Sequence, residues 1–566
     1  MFTATPPLIV LFVYLVYRRC GLCQRLNDFY LPQKMLAIRQ GKSDNAPMKI
    51  RSLREDAAQM VMPRIEGSKL GDPAYREQVH ELVHDGVGGF ILFGGDIENT
   101  PRYLGEIKKP AVIPPLISAD VERGLGQQLE GGTRFPSQRA VASAINRRSK
   151  KDVELLDKML DAVRIETRAV GIHAVFSPVV DVNNNPENPI ICTRAFGDDP
   201  EVVEWFGSRY IKVLQKPAGK NRLDLLACAK HFPGHGDTDQ DSHSVLPVIR
   251  ADKSRLNRVE LPPFRAAVKD GVGMVMVAHL LVPALDPAKP TTFSRKTITA
   301  LLREGMEFDG LIVSDALDMG ALAGEYSQGE IAVRAVEAGI DILLHPQDAR
   351  ITIDAVVAAV EQGRLTRQRI NESVERILVS KQRLGLFDKE RPAASRIDYK
   401  KHQQIAGEIG DKAPRIISGI KGALPLDHDG GVACFILDDD NNRESGDSFI
   451  HALKDQVTNL SMIVLTPDSG MPTSLVKDSI QGAGAVILAV FSKISASKGR
   501  SGISDGLRDM AMDILRTTKS ARTKAVVLSF DSPYILDLFK EADVLIAAYD
   551  RMDHIQRAAA ELVAGK

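Results

Sequence analysis

The chain has 566 residues, more than a single hydrophobic core usually supports, so two domains are expected. Its 73 Lys and Arg balance its 73 Asp and Glu, which removes any global electrostatic reason to expect nucleic acid or an anionic membrane surface as a partner. Five cysteines, an odd and scattered set, argue against a disulfide framework and for a reducing compartment.

Residues 1–47 read as an N-terminal extension. An apolar run over 8–17 is followed by Arg18 and Arg19. It is too short to cross a bilayer as a helix. As a signal peptide it lacks a basic segment before it and a small-residue cleavage site after it. The expectation is a non-structural extension upstream of Met35 or Met48 and a cytoplasmic protein, with secretion or anchoring as the alternative if the run is a genuine signal. Cys20 and Cys23 form a C-x-x-C with no second pair and no neighbouring His pair, so the spacing is read as incidental rather than as a zinc or redox site.

From Met48 short apolar runs alternate with longer amphipathic stretches, the pattern of β/α units on a parallel sheet. Strands are expected at 59–65, 88–93, 115–119, 174–180, 225–229, 274–278, 311–314 and 340–344. Helices are expected at 73–85, 152–170, 201–215, 258–269, 295–305 and 329–338. Eight alternations imply a (β/α)8 TIM-type barrel over 48–388. A helix carrying Ile370, Val374, Ile377, Leu378 and Leu384 on one face closes it. A charged, proline-containing linker at 389–400 precedes a second series of strands at 432–437, 462–465, 485–490, 525–529 and 544–547. That series implies an open α/β sandwich domain over 401–566. Asp438, Asp439 and Asp440 stand where a glycine-rich nucleotide loop would follow its first strand, which argues against a nucleotide role.

The chemistry concentrates in K-H-F-P-G-H-G-D-T-D-Q-D-S-H-S-V-L-P, residues 230–247. Proline and glycine exclude a helix there, so it reads as a loop, with Lys230 and His231 at the carboxyl end of the preceding strand. His231 and His235 have the spacing of a helical zinc pair, but Pro233 and Gly234 between them cancel its meaning. Asp237, Asp239 and Asp241 resemble the start of a calcium loop, yet Ser242 and Val248 occupy its glycine and glutamate positions, so no metal is expected. Asp241 and His243 are two apart, so in an extended loop the carboxylate can hold and polarise the imidazole, giving an acid/base near neutral pH. Two solvated loop residues are the blander alternative.

Asp315 follows the apolar strand at 311–314, either as a functional carboxylate at a barrel mouth or as the N-cap of the next helix. Asp120 and Glu122 follow the strand at 115–119 in the same way. Arg194 lies in a long Asn- and Pro-rich loop of the kind that lines a site or a surface. No G-x-S-x-G supports a serine triad.

The stretches S-A-D-V-E-R-G, N-P-I-I-C-T-R-A-F-G-D-D-P, K-H-F-P-G-H-G-D-T-D-Q-D-S-H and I-V-S-D-A-L-D-M-G-A resemble glycoside hydrolase family 3 in its β-N-acetylglucosaminidase branch, over about residues 51–388. The resemblance implies a retaining exo-β-N-acetylglucosaminidase acting on small muropeptides or chitooligosaccharides, with no cofactor. It implies Asp315 as nucleophile, His243 with Asp241 as acid/base, and Asp120, Arg194, Lys230 and His231 as holders of the terminal sugar. Gln128 stands where the branch commonly has a sugar-contacting arginine, unless Arg123 substitutes, and Ala195 replaces a serine. Because a histidine base carries no negative charge when deprotonated, phosphate is an acceptor to test beside water. A β-glucosidase and a non-catalytic sugar-binding protein are the remaining alternatives. The C-terminal domain, with its A-L-P-L lead-in at 423–426, resembles the sandwich of two-domain members and is expected to support the cleft's outer edge.

Overall fold

The first eight apolar runs form the staves of a barrel in the computed structural model, which describes residues 51–388, 397–426, 430–442, 445–470, 473–493, 498 and 500–565. The expected N-terminal extension, Cys20, Cys23 and most of the expected linker lie outside the described residues. From Leu53 onward the chain forms one compact unit.

The barrel strands are β1 (Val61–Met62, resuming after Pro63 as Arg64–Glu66), β2 (Gly89–Phe93), β3 (Leu116–Ala119), β4 (Ala174–Val175), β5 (Leu226–Phe232), β6 (Met274–Val277), β7 (Leu311–Ser314) and β8 (Leu343–Leu344). The ladder runs continuously from β7 down to β1. The ring closes because β8 pairs in parallel with β1 at Val61↔Leu343 and Met62↔Leu344. On its other side, Ser314 N donates to Ile342 O at 3.0 Å and Ile342 N to Ile312 O at 3.1 Å. Helices cover the outside while side chains fill the inside, so the strands read as unbroken apolar runs. Ser118 Oγ on β3 donates to Met62 Sδ on β1 at 3.2 Å, past the intervening β2, so both point to the axis. Two and four residues further on, Asp120, Arg64 and Glu66 project from the same face at the carboxyl ends of their strands.

Local sequence sets the helix starts. Asp72 and Asp199 each cap a helix that opens on proline (Pro73–His84 and Pro200–Leu214), and Ser149 caps Lys150–Ala169. Four expectations need correction. The run at 174–180 forms a regular ladder only over Ala174–Val175, because Pro178 has no N–H to give, although Val180 N still donates to Lys230 O at 2.8 Å. β5 continues through Lys230 and His231 to Phe232, so the loop begins at Pro233. The helix expected at 258–269 is two helices, Lys253–Arg258 and Pro262–Lys269, divided by the proline pair. The helix expected at 295–305 is wound as a π-helix over Lys296–Gly305.

The second sheet contains β9 (Arg415–Gly419), β10 (Val432–Asp438), β11 (Leu460–Leu465), β12 (Ala485–Phe491), β13 (Lys524–Ser529) and β14 (Val544–Ala547). Their order is β9-β14-β13-β12-β10-β11, parallel except for β9, which pairs antiparallel with β14. β9 escaped the sequence reading because all five of its residues are exposed, leaving no apolar period. The carboxyl ends of this sheet are tied to barrel loops. Ser137 N donates to Asp550 Oδ2 at 2.7 Å and Ser137 Oγ to Tyr549 O at 2.9 Å. Tyr534 OH donates to Asn183 O at 2.8 Å. Buried Glu166 on the barrel accepts from Thr133 N at 2.9 Å and from His402 Nδ1 of the helix Tyr399–Asp411 at 2.6 Å.

Among the described residues, no helix is long and apolar enough to cross a membrane. Cys192, Cys228 and Cys434 are buried free thiols.

Candidate active site

The ends of β3, β4 and β5 build one charge network. Lys230, buried on β5, places Nζ 2.7 Å from Asp120 Oδ1 and 2.7 Å from Glu122 Oε1. Arg194 grips Glu122 with both arms, Nε to Oε2 at 3.0 Å and Nη2 to Oε1 at 2.8 Å. Arg194 Nη2 also meets His231 Nε2 at 3.4 Å. Since a carboxylate only accepts, His231 Nδ1 donates to Asp181 Oδ2 at 2.7 Å, which orients the ring. Burial would neutralise these groups, but their partners outweigh it. Burial pushes the Glu122 carboxyl up, while Arg194 and Lys230 hold it well below the carboxylate range. Burial pulls Lys230 down, while Asp120 and Glu122 hold it above the ordinary lysine value. Asp181 is likewise held low against burial, chiefly by the His231 ring.

Asparagine side chains shape the loop that follows. Asn188 Nδ2 donates to His235 O at 2.8 Å and Gly236 O at 3.1 Å, while its Oδ1 accepts from Ile191 N at 2.8 Å. Gly236 passes so close to the chain that a Cβ there would lie 1.8 Å from Val182 O. His235 is locked inside by Ser242 Oγ at 3.1 Å and Thr238 Oγ1 at 3.3 Å, and burial, with the nearby His231, pulls it down to about 4. The loop then presents the dyad. His243 Nδ1 donates to Asp241 Oδ1 at 2.7 Å, and its main-chain N donates to the same oxygen at 2.9 Å. Asp241 is buried while the His243 side chain is 38% exposed, so the imidazole stands at the surface on an anchored carboxylate.

Asp315 sits immediately past β7, its N donating to Val277 O at 3.0 Å and its Oδ1 accepting from Ala316 N at 2.9 Å. Burial pushes its carboxyl up, but the His231 and His279 rings, the Ala316 amide and Lys230 together hold it below the usual aspartate range. Among the described residues it makes no ion pair. Five residues on, Gly320 N donates to His243 O at 3.2 Å, and a Cβ on Gly320 would come 2.7 Å from that oxygen. The dyad loop and the Asp315 segment are therefore in direct contact.

The structure thus brings Asp120, Arg194, Lys230 and His231 into one network and joins the Asp241–His243 dyad to the Asp315 segment. Gln128 lies beside Asp120, its Nε2 donating to Asp120 O at 3.1 Å. Arg123 does not stand in for the missing arginine, because its guanidinium is held by Asp550 of the second sheet and by Phe135 O at 3.4 Å. Asp181 and His279 went unnoticed in the sequence. Each follows an apolar run at the same end of the barrel as Asp315, and that position was the available signal. Among the described residues, no group of His, Cys, Asp and Glu is arranged to hold a metal ion.

Comparison with known proteins places the chain in a family. A beta-hexosaminidase A of Pseudoalteromonas piscicida is 27% identical, covering 82% of this chain and 83% of its own. A beta-hexosaminidase of Chromobacterium violaceum is 35% identical over 49% of this chain and 77% of its own. The structure of a glycoside hydrolase family 3 beta-N-acetylglucosaminidase from Paenibacillus sp. str. FPU-7 superposes with a TM-score of 0.77 at 28% identity, covering 91% of this chain and 97% of that one. Residues 52–379, more than half the chain, match the Glycosyl hydrolase family 3 N terminal domain, and the protein is a glycoside hydrolase belonging to family 3.

Proposed function

We propose that the protein is a retaining exo-β-N-acetylglucosaminidase that removes terminal GlcNAc from muropeptides or chitooligosaccharides in the cytoplasm. The observation that carries this reading is the contact between the dyad loop and the Asp315 segment, the Gly320–His243 hydrogen bond. It brings the loop that carries the dyad against the segment that carries Asp315, which supports pairing a carboxylate with a separate proton donor as a two-step glycosidase needs. The beta-hexosaminidase names of the two relatives support the choice of sugar.

In the first step the Asp315 carboxylate attacks the anomeric carbon. The bond to the leaving oxygen breaks, and His243 Nε2 gives that oxygen its proton. In the second step His243 takes a proton from water, the water oxygen attacks the same carbon, and Asp315 departs as carboxylate. Asp241 fixes the tautomer throughout, because its bond to Nδ1 leaves Nε2 for the transfer. Asp120, Lys230, Arg194 and His231 hold the sugar hydroxyls, and Gln128 lies at the edge of that group.

The test is turnover of an aryl β-N-acetylglucosaminide beside the matching β-glucoside, with and without inorganic phosphate. Free GlcNAc at a phosphate-independent rate is the expected result. GlcNAc-1-phosphate would identify a phosphorylase, and preference for the glucoside, or no turnover, would overturn the reading.

A further inference from the structure

His279 follows β6 by two residues and is completely buried, yet both ring nitrogens are engaged. Nε2 lies 2.9 Å from Ala316 O, and Nδ1 lies 2.7 Å from Thr292 Oγ1. A carbonyl can only accept, so Nε2 carries a hydrogen. The Thr292 hydroxyl has one proton and two acceptors in reach, Nδ1 and, at 3.2 Å, Ala278 O. Ala278 O also accepts from the Thr291 hydroxyl and has a lone pair for each, so it is burial, which disfavours a doubly protonated ring, that sends the Thr292 proton to the nearer Nδ1. The ring is then neutral, with a single hydrogen aimed at the residue after Asp315.

That residue is the one whose amide holds the Asp315 carboxylate at 2.9 Å. The short segment between β7 and Gly320 is thus pinned at both ends, by the His243 carbonyl on one side and by the His279 ring on the other. Burial lowers the basicity of the ring, which keeps it a neutral donor in a pocket that Asp315, Asp318 and His243 also face.

We propose that His279 is a positioning residue for Asp315: through its Nε2–H it fixes the Ala316 carbonyl and so the aim of the carboxylate. The inference rests on Asp315 being the nucleophile, as argued above. A polar space-filler that missed the carbonyl would leave the core packed but let the carboxylate drift.

Glutamine and asparagine separate these roles. A glutamine amide nitrogen sits as many bonds from Cα as the imidazole Nε2 and can reach Ala316 O, whereas an asparagine amide ends nearer Thr292. In the full-length chain, His279→Gln is expected to keep most of kcat. His279→Asn is expected to lose about 100-fold in kcat, the scale of an ångström-level misalignment, with KM nearly unchanged and a melting temperature matching that of the Gln variant. Equal kcat in the two variants, whether both intact or both lost, overturns the proposal. Should the Asn variant not fold, nitrogen-15 NMR of the wild-type protein labelled at histidine decides instead: hydrogen on Nε2 with Nδ1 as acceptor is expected, and the opposite tautomer overturns the proposal. Asp315→Asn, assayed alongside, separates the two readings, since turnover surviving that change sinks the nucleophile assignment itself.

Discussion

Both sheets gather charge at the carboxyl ends of their parallel strands, but they leave it in different states. After β10, Asp439 accepts from Lys498 at 3.0 Å and from Arg500 at 2.9 Å, and Asp440 from Lys498 at 3.1 Å and Arg551 at 2.8 Å. Arg551 Nε donates as well to Asp531, past β13, at 2.9 Å. These carboxylates stand past the carboxyl ends of β10 and β13, the end at which an open α/β sheet takes a ligand, each answered by a cation. At the barrel rim the network of Asp120, Glu122, Arg194 and Lys230 is just as densely paired, but Asp315 has no ion pair among the described residues and the His243 ring stands partly exposed. The difference teaches where to look for chemistry: in the charged group that the fold positions without neutralising.

The largest test of that contrast is to remove the unneutralised charge. Asp315→Asn is expected to cost roughly 10⁴-fold in kcat, measured with an aryl glycoside, whereas Asp439→Asn should lower the melting temperature and leave kcat/KM near wild type. If both lose activity alike, the two clusters are not functionally distinct.

Next comes the dyad. Asp241→Asn should cost about 10²- to 10³-fold in kcat, because an amide no longer polarises the ring or selects its tautomer. Combined with His243→Ala it should cost little more than either change alone. Additive losses in this cycle would separate the two residues.

The paired side of the rim should respond through stability and binding. Lys230→Met leaves Glu122 and Asp120 without their shared cation. A loss of about 3–5 kcal/mol in denaturant unfolding is expected for a broken buried pair, together with a raised KM. A variant as stable as wild type would mean the network holds no buried charge.

Acid should push the two regions in opposite directions. His235 titrates at about 4 in the fold against an ordinary 6.5, so its contribution is complete above 6.5 and is lost as pH falls toward 4. Burial, against the pull of Arg551, raises Asp531 to about 6 from 3.8, so its contribution is complete below 3.8 and is lost as pH rises through 6. Between pH 7 and 5 the loop at 233–247 should lose, and the ends of β13 and β14 gain, about 1–2 kcal/mol of protection in amide hydrogen exchange. Parallel changes would refute the opposition.

The barrel is legible in the sequence because strands covered on both faces are continuous apolar runs, and β6 and β7 read directly from Met274–Val277 and Leu311–Ser314. β9 was illegible for the converse reason: an exposed edge strand has no buried face to set a period. Asp315 and the dyad were visible as residues near strand ends or two apart in one loop. The Asp181–His231 pair was not, since 50 residues separate its members and only the neighbouring of β4 and β5 joins them. Arg123 misled for the same reason, its partner Asp550 lying 427 residues away.

That last separation has a consequence for how the molecule comes into being. At about 5–20 residues per second, a ribosome needs roughly 20–90 s to travel from Arg123 to Asp550. During that interval the β3 loop has left the exit tunnel without the carboxylate that seats Arg123 and the Ser137 amide. The rim of the barrel is therefore finished by residues made long after its own strands, and a nascent chain halted after the barrel strands would carry Asp120 on a loop still waiting for its far anchor.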